Sequence, residues 1–306
     1  MELTWKERLV LYARWKLKYT LRRPERSARD LSYRLYHRLC PAVRESAALG
    51  QQRARELSGT GYCAAPALAA SDELLAPFRV LCASPQAWQV NLPDGELAET
   101  EALRRGLSYK NAAWSCLRHL GFDPCHRLVE RLFGPILRGY YRAHYRLADA
   151  MALKYIAFPV EQAESSFLWH TDEHPPGTLK GFIYLSDVAP ENGPFAYVPG
   201  SHAVSHLAHQ LTGNTYESRY SEEYVSGIAR RLGTAPGMAT GPAGTAFIFN
   251  NNCLHRATPV KAGVRLALQF TFLPSFFETR RHHELRGCYD IWNMVGPSPE
   301  PVWRRA

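Results

Sequence analysis

The sequence predicts a mainly β protein with flanking helices, its core an antiparallel double sheet of the jelly-roll kind. Two observations predict it. From residue 165 onward, short apolar runs alternate with turn signals: Pro175-Pro176-Gly177, Glu191-Asn192-Gly193, Pro199-Gly200, Gly241-Pro242 and Lys261-Ala262-Gly263. That rhythm marks strands joined by tight turns. Before residue 140, apolar residues recur at helical spacing, as in Leu128, Leu132 and Ile136. The 306 residues suffice for one large β-rich domain with attached helices, or for two small domains.

The N-terminal elements read as helices. Residues 3–23 contain no Gly or Pro before Pro24, and Trp5, Leu9, Tyr12 and Trp15 share a broad arc of the wheel. Residues 29–40 form a second helix, ended by Pro41. Residues 1–55 hold 14 of the 37 Lys/Arg and 5 of the 28 Asp/Glu, so the net charge of +9 sits there. We assign residues 1–50 to a basic helical extension, read as docked on the body with its basic face solvated; the rival reading is contact with a membrane surface or another polyanion through residues 1–55. No specific nucleic-acid site is expected.

The body is assigned to residues 51–280. Residues 72–82 read as a helix, 84–100 as irregular because of Pro85, Pro93 and Gly95, and 101–120 and 124–138 as helices. A strand is expected over 152–158, ahead of a strand over 166–173. Residues 203–235 form a long polar insertion of the kind that serves as a lid. Residues 281–306 form a basic, irregular tail in which His282-His283 is an exposed pair. Seven scattered cysteines give neither a disulfide framework nor zinc-site spacing, and Cys253 reads as packing. No run of about 18 apolar residues or signal-peptide core is present, so the expected location is cytoplasmic, peripheral to the membrane at most.

The chemistry centres on Ser166-Phe-Leu-Trp-His-Thr-Asp-Glu173. On a strand, His170 and Asp172 point to one side and hold adjacent corners of a metal. His255 is the best third ligand, and two imidazoles with one carboxylate form the facial triad of non-haem Fe(II) oxygenases. By itself H-x-D recurs by chance in a chain with 12 histidines. The segment after it is more specific. Gly181-Phe-Ile-Tyr-Leu-Ser-Asp-Val-Ala-Pro-Glu-Asn-Gly-Pro-Phe-Ala-Tyr-Val-Pro-Gly-Ser-His202 resembles the central segment of the phytanoyl-CoA dioxygenase family, and Arg265 stands ten positions after His255, where that family has an arginine. The H-x-D, E-N-G, P-G-S-H and H…R elements occur in the family's order, and the resemblance covers roughly 56–275.

The resemblance implies a double-stranded β-helix and an Fe(II)/2-oxoglutarate-dependent oxygenase that uses O2 to hydroxylate a small-molecule substrate, releasing succinate and CO2. It implies that His170, Asp172 and His255 bind the metal and that Arg265 binds the distal carboxylate of 2-oxoglutarate. Thr258, Lys154 and Phe182 are further cosubstrate residues, while Trp169, His174, Tyr216, Arg219 and Tyr220 are substrate candidates. His202 reads as a structural hydrogen-bonding residue. Because related halogenases lack the triad carboxylate, Asp172 argues for hydroxylation, desaturation or cyclisation. Two rivals are a non-catalytic jelly-roll binding protein with a basic arm, and a zinc hydrolase that would leave Arg265 without a role.

Overall fold

In the computed structural model, residues 31–84, 88–92, 95–98, 112–157, 165–172, 177–204 and 219–286 are described. The first predicted helix, His174 and Tyr216 therefore lie outside the described residues. Residues 31–39 are helical. Pro41 does not merely end that helix: it opens α1 (Pro41–Thr60), where a missing N–H costs nothing. After it come β1 (Tyr62–Ala64), a 3-10 turn, α2 (Ala76–Ala83), β2 (Gln89–Leu92), β3 (Gly95–Ala98) and β4 (Ala112–Ser115). Three helices come next: α3 (Cys116–Leu120), α4 (Phe122–Leu132) and α5 (Gly134–Tyr141).

The remainder carries β5 (His144–Ile156), β6 (Trp169–His170), β7 (Leu179–Tyr184), β8 (Phe195–Tyr197), β9 (Arg219–Tyr220), α6 (Glu222–Arg231), β10 (Gly237–Ala239), β11 (Ala246–Asn250), β12 (His255–Ala257), β13 (Val264–Ser275) and α7 (Thr279–Arg286). The strands form two antiparallel sheets. The larger runs β1-β11-β7-β13-β5-β4-β2-β3 and the smaller β10-β8-β12-β6-β9.

Side chains alternate across the large sheet and sort into two layers. On its outer face Ala150, Ala152, Leu268, Phe270 and Phe272 pack against α1, α4 and α5 in the main core. On its inner face Leu153, Tyr155, Tyr184, Phe247, Phe249 and Ala267 meet the small sheet. The inner faces of the two sheets oppose each other across a cleft.

Several expectations change. Residues 89–92 and 95–98 pair as a hairpin rather than an irregular stretch, since turn residues punctuate hairpins as readily as loops. Residues 112–115 are a strand recruited by β5, although their apolar spacing reads as helical. The helix over 124–138 is broken at Phe133, with Pro135 in the first turn of α5. The strand before the metal segment is long, 13 residues, whereas that at 166–173 shrinks to two. The 203–235 insertion contains β9 and α6, and the tail after Pro274 forms α7. His282 is buried there, its Nδ1 3.0 Å from Ser275 Oγ, and His283 stacks on Phe122 at 4.0 Å, so neither is a free surface histidine.

Helices α1 and α5 touch through small residues. Gly50 lies against the backbone of Pro135, so a Cβ there would overlap it, and a Cβ on Gly139 would come 2.9 Å from Ala54 Cβ. Gly50→Ala should therefore push the helices apart and cost about 2 kcal/mol, measured by chemical denaturation. An unchanged midpoint would mean that the contact yields freely.

Candidate metal centre

His170 ends β6 and His255 begins β12, directly opposite each other in the small sheet. Opposed residues of an antiparallel pair share a face, and both imidazoles face the cleft, 4.2 Å apart between ring centres. Each donates its Nδ1–H to a backbone carbonyl at 2.8 Å, His170 to Leu168 and His255 to Cys253. A carbonyl only accepts, so these bonds fix the tautomer and leave both Nε2 lone pairs free. Asp172 lies two residues past the end of β6, yet its carboxylate turns back to them. Oδ1 is 3.7 Å from His170 Nε2, and Oδ2 is 3.5 Å from His255 Nε2.

The three ligand atoms all lie within 4.8 Å of one another. Two neutral imidazole nitrogens and one carboxylate oxygen on one side of a cleft suit a divalent ion with open positions. Burial, then the neighbouring His255, lowers the His170 pKa to about 3, so it is a neutral donor at physiological pH. Burial alone would raise Asp172. The Lys180 ammonium foremost, then His255 and His170, outweigh it and hold Asp172 well below the usual carboxylate range.

The two turn motifs have a structural account. In P-G-S-H, Ser201 Oγ donates to Val198 O at 2.7 Å and accepts from Leu254 N at 2.8 Å, pinning the residue before His255. His202 bonds Ser58 O at 3.1 Å, in the structural role read for it. In E-N-G, Asn192 bonds Ala189 N and Ala262 O, each at 2.9 Å, and Glu191 O accepts from Lys261 N at 2.8 Å. Gly193, at φ 71°, lies so close to Thr258 O that a Cβ would come within 2.5 Å. Together they clasp the turn from His255 to Arg265.

Arg265 sits on the inner face of β13, opposite Tyr155 of β5 and 4 % exposed. Its guanidinium carbon lies 4.2 Å from the Tyr155 ring centre, and burial lowers its pKa against the offset of Tyr155 and Tyr184. Among the described residues no carboxylate pairs with it. Phe182 faces the same cleft, stacked on Phe247 at 5.4 Å. Thr258 spends its hydroxyl proton on Pro194 O at 2.7 Å, holding the turn.

Three other expectations are corrected. Lys154 is one residue out of step with Tyr155, so it faces the helices, its ammonium 5.5 Å from the Trp88 ring centre. Trp169 and Tyr220 oppose each other on the outer face of the small sheet, packed on α6. Trp169 Nε1 donates to Glu222 Oε2 at 3.1 Å, and Arg256 covers its ring at 4.5 Å. Of the substrate candidates within the described residues, Arg219 alone shares the metal face. It is paired with His170, and its Nε is buried without a partner. Cys253 packs, as read, with burial raising its thiol to about 12.

Lys180 belongs to none of the sequence motifs. It lies on the inner face of β7 and is 8 % exposed, with Nζ 2.6 Å from Asp172 Oδ2. The available signal was its position in step with Phe182 and Tyr184, a lone lysine in an apolar strand.

The family model for phytanoyl-CoA dioxygenase matches residues 99–265, more than half of the chain. The chain belongs to the phytanoyl-CoA dioxygenase family. Fe(II), 2-oxoglutarate and O2 are the cofactor set of that family, and His170, Asp172, His255 and Arg265 all fall within the matched residues. The L-proline trans-4-hydroxylase of Streptomyces griseoviridis is 31% identical over 157 residues, 47% of this chain and 56% of that protein. The match thus spans little more than half of this relative's length. Among solved structures, EctD from S. alaskensis in its apo form is similar at TM-score 0.54 and 18% identity, covering 82% of this chain and 85% of that one. The epimerase SnoN in complex with Fe3+ and alpha ketoglutarate is similar at TM-score 0.53 and 17% identity, covering 83% and 93%. These likenesses show the shared jelly-roll fold. Among the described residues no helix is long and apolar enough to cross a membrane.

Proposed function

We propose that this chain is an Fe(II)/2-oxoglutarate-dependent oxygenase that hydroxylates an unactivated C–H bond of a small-molecule substrate, with succinate and CO2 as co-products. The observation that carries the reading is the convergence of His170, Asp172 and His255 on one cleft whose inner wall also holds the buried, carboxylate-free Arg265. His170 and His255 present Nε2 to the metal and Asp172 a carboxylate oxygen. Arg265 takes the distal carboxylate of 2-oxoglutarate as a planar, two-pronged partner. Leu153, Tyr155 and Phe182 form an apolar sleeve that excludes water between the two ends.

Bound iron with 2-oxoglutarate and O2 supplies the oxidising power; the chain supplies position and dryness. Arg219, beside His170 with an unspent Nε, and Thr271, fully buried with an unpartnered hydroxyl next to Lys180, are the groups we assign to the substrate. The proline hydroxylase relative supports a small-molecule substrate, and Asp172 in the triad favours oxygen transfer over halogenation. Succinate formation by the purified chain, dependent on Fe(II), O2 and 2-oxoglutarate and stimulated by substrate, tests the reading. Absence of iron-dependent succinate would favour the non-catalytic alternative.

A further inference from the structure

We propose that Lys180 is a positioning residue for the metal ligand Asp172: its ammonium holds Oδ2, so the carboxylate turns one oxygen, Oδ1, to the metal. The inference rests on the iron and 2-oxoglutarate reading of the site.

Asp172 needs such a partner. It stands beyond a strand of only two residues, and its amide makes a long bond of 3.3 Å to Asn251 O. Its backbone therefore does little to fix the carboxylate. Lys180, by contrast, is anchored in the middle of the eight-stranded sheet, between Phe249 of β11 and Thr271 of β13. From there Nζ reaches Oδ2 at 2.6 Å, the length of a strong charge-assisted bond.

The choice of a cation is informative. An ammonium beside a metal ligand repels a dication, so it does not serve metal affinity. Its effect is on denticity. A carboxylate free at both oxygens can chelate and take two corners of the ion. One whose Oδ2 is held takes a single corner, and a facial triad then keeps three corners open. Those three are the number that a chelating keto acid and O2 require. The same positive charge offsets the two negative charges that 2-oxoglutarate brings into a buried site. Lys180 should therefore favour the cosubstrate at the expense of the bare metal.

The test uses the full chain under anaerobic conditions. Equilibrium dialysis with Mn(II) alone reads metal affinity, and the charge-transfer absorption that grows as 2-oxoglutarate is added to the Fe(II) protein reads cosubstrate affinity. Lys180→Met is expected to bind Mn(II) no more weakly than the wild type. The 2-oxoglutarate needed for half of the absorption change should rise about tenfold or more, within the range seen when metal-site supporting groups are lost. Lys180→Arg, which keeps a cationic donor, should restore most of it.

A lysine that merely supported the fold would weaken both affinities together with thermal stability, and that pattern overturns the proposal. So does a Lys180→Met protein with unchanged cosubstrate affinity and an unchanged band. Should Lys180→Met not fold, Lys180→Gln and Lys180→Arg carry the comparison, with Gln expected to lose cosubstrate affinity and Arg to keep it; equal affinities overturn the proposal. A wild-type protein that develops no band sinks the iron reading itself. A wild-type band with no difference among the variants sinks the lysine assignment alone.

Discussion

Asp172→Ala is expected to abolish iron binding and to lower turnover by about a thousandfold or more, roughly 4 kcal/mol of barrier. Two imidazoles remain in the variant, but they are neutral and bring no charge to balance a dication. The change also leaves Lys180, 8 % exposed, facing His170 and His255 without its anion. Breaking one side of a buried pair costs about 3 kcal/mol, so the metal-free variant should melt earlier. Pairing Asp172→Ala with Lys180→Met should recover most of that stability and none of the turnover. The single and double variants thus separate the fold from the chemistry. Iron content, thermal melts and succinate release read the three effects, and full turnover by Asp172→Ala would remove this carboxylate from the metal set.

The sequence carried the centre of the site better than its walls, for a physical reason. H-x-D with a distant histidine needs only that two short segments lie side by side, and β6 and β12 do so with His170 opposite His255. E-N-G and P-G-S-H were legible because their turns clasp the segments that carry His255 and Arg265. Face assignments were less legible, because strand side chains alternate and an error of one residue reverses the face. The sequence places Lys154 on the cleft, yet its neighbour Tyr155 occupies that face, and Trp169 lies on the opposite face from its neighbour His170. Lys180 escaped because its meaning depends on Asp172, and no local pattern shows that a strand lysine reaches a carboxylate on the facing sheet. The helix α7 and the buried His282 depend likewise on contacts with Ser275 and β5 that the basic composition of the tail conceals.

Arg265→Ala is expected to raise the 2-oxoglutarate requirement about a hundredfold while leaving metal affinity unchanged. The guanidinium is 4 % exposed, and no carboxylate among the described residues pairs with it, so its fork is available to a ligand. A charge-assisted bond of this kind contributes about 1.5–3 kcal/mol, and the upper end corresponds to roughly a hundredfold in affinity. Arg265→Lys should fall between the two, because an ammonium keeps the charge and loses the planar fork. The unliganded fold should respond differently from that of Asp172→Ala. Nothing anionic is stranded when Arg265 is removed. The loss is the cation over the Tyr155 ring, about 1 kcal/mol, set against relief from keeping an unpaired charge buried. Arg265→Ala should therefore melt close to the wild type when both are free of ligand, and the wild type alone should gain strongly in melting temperature on adding 2-oxoglutarate with metal. Equal gains in the two proteins would show that the distal carboxylate binds elsewhere.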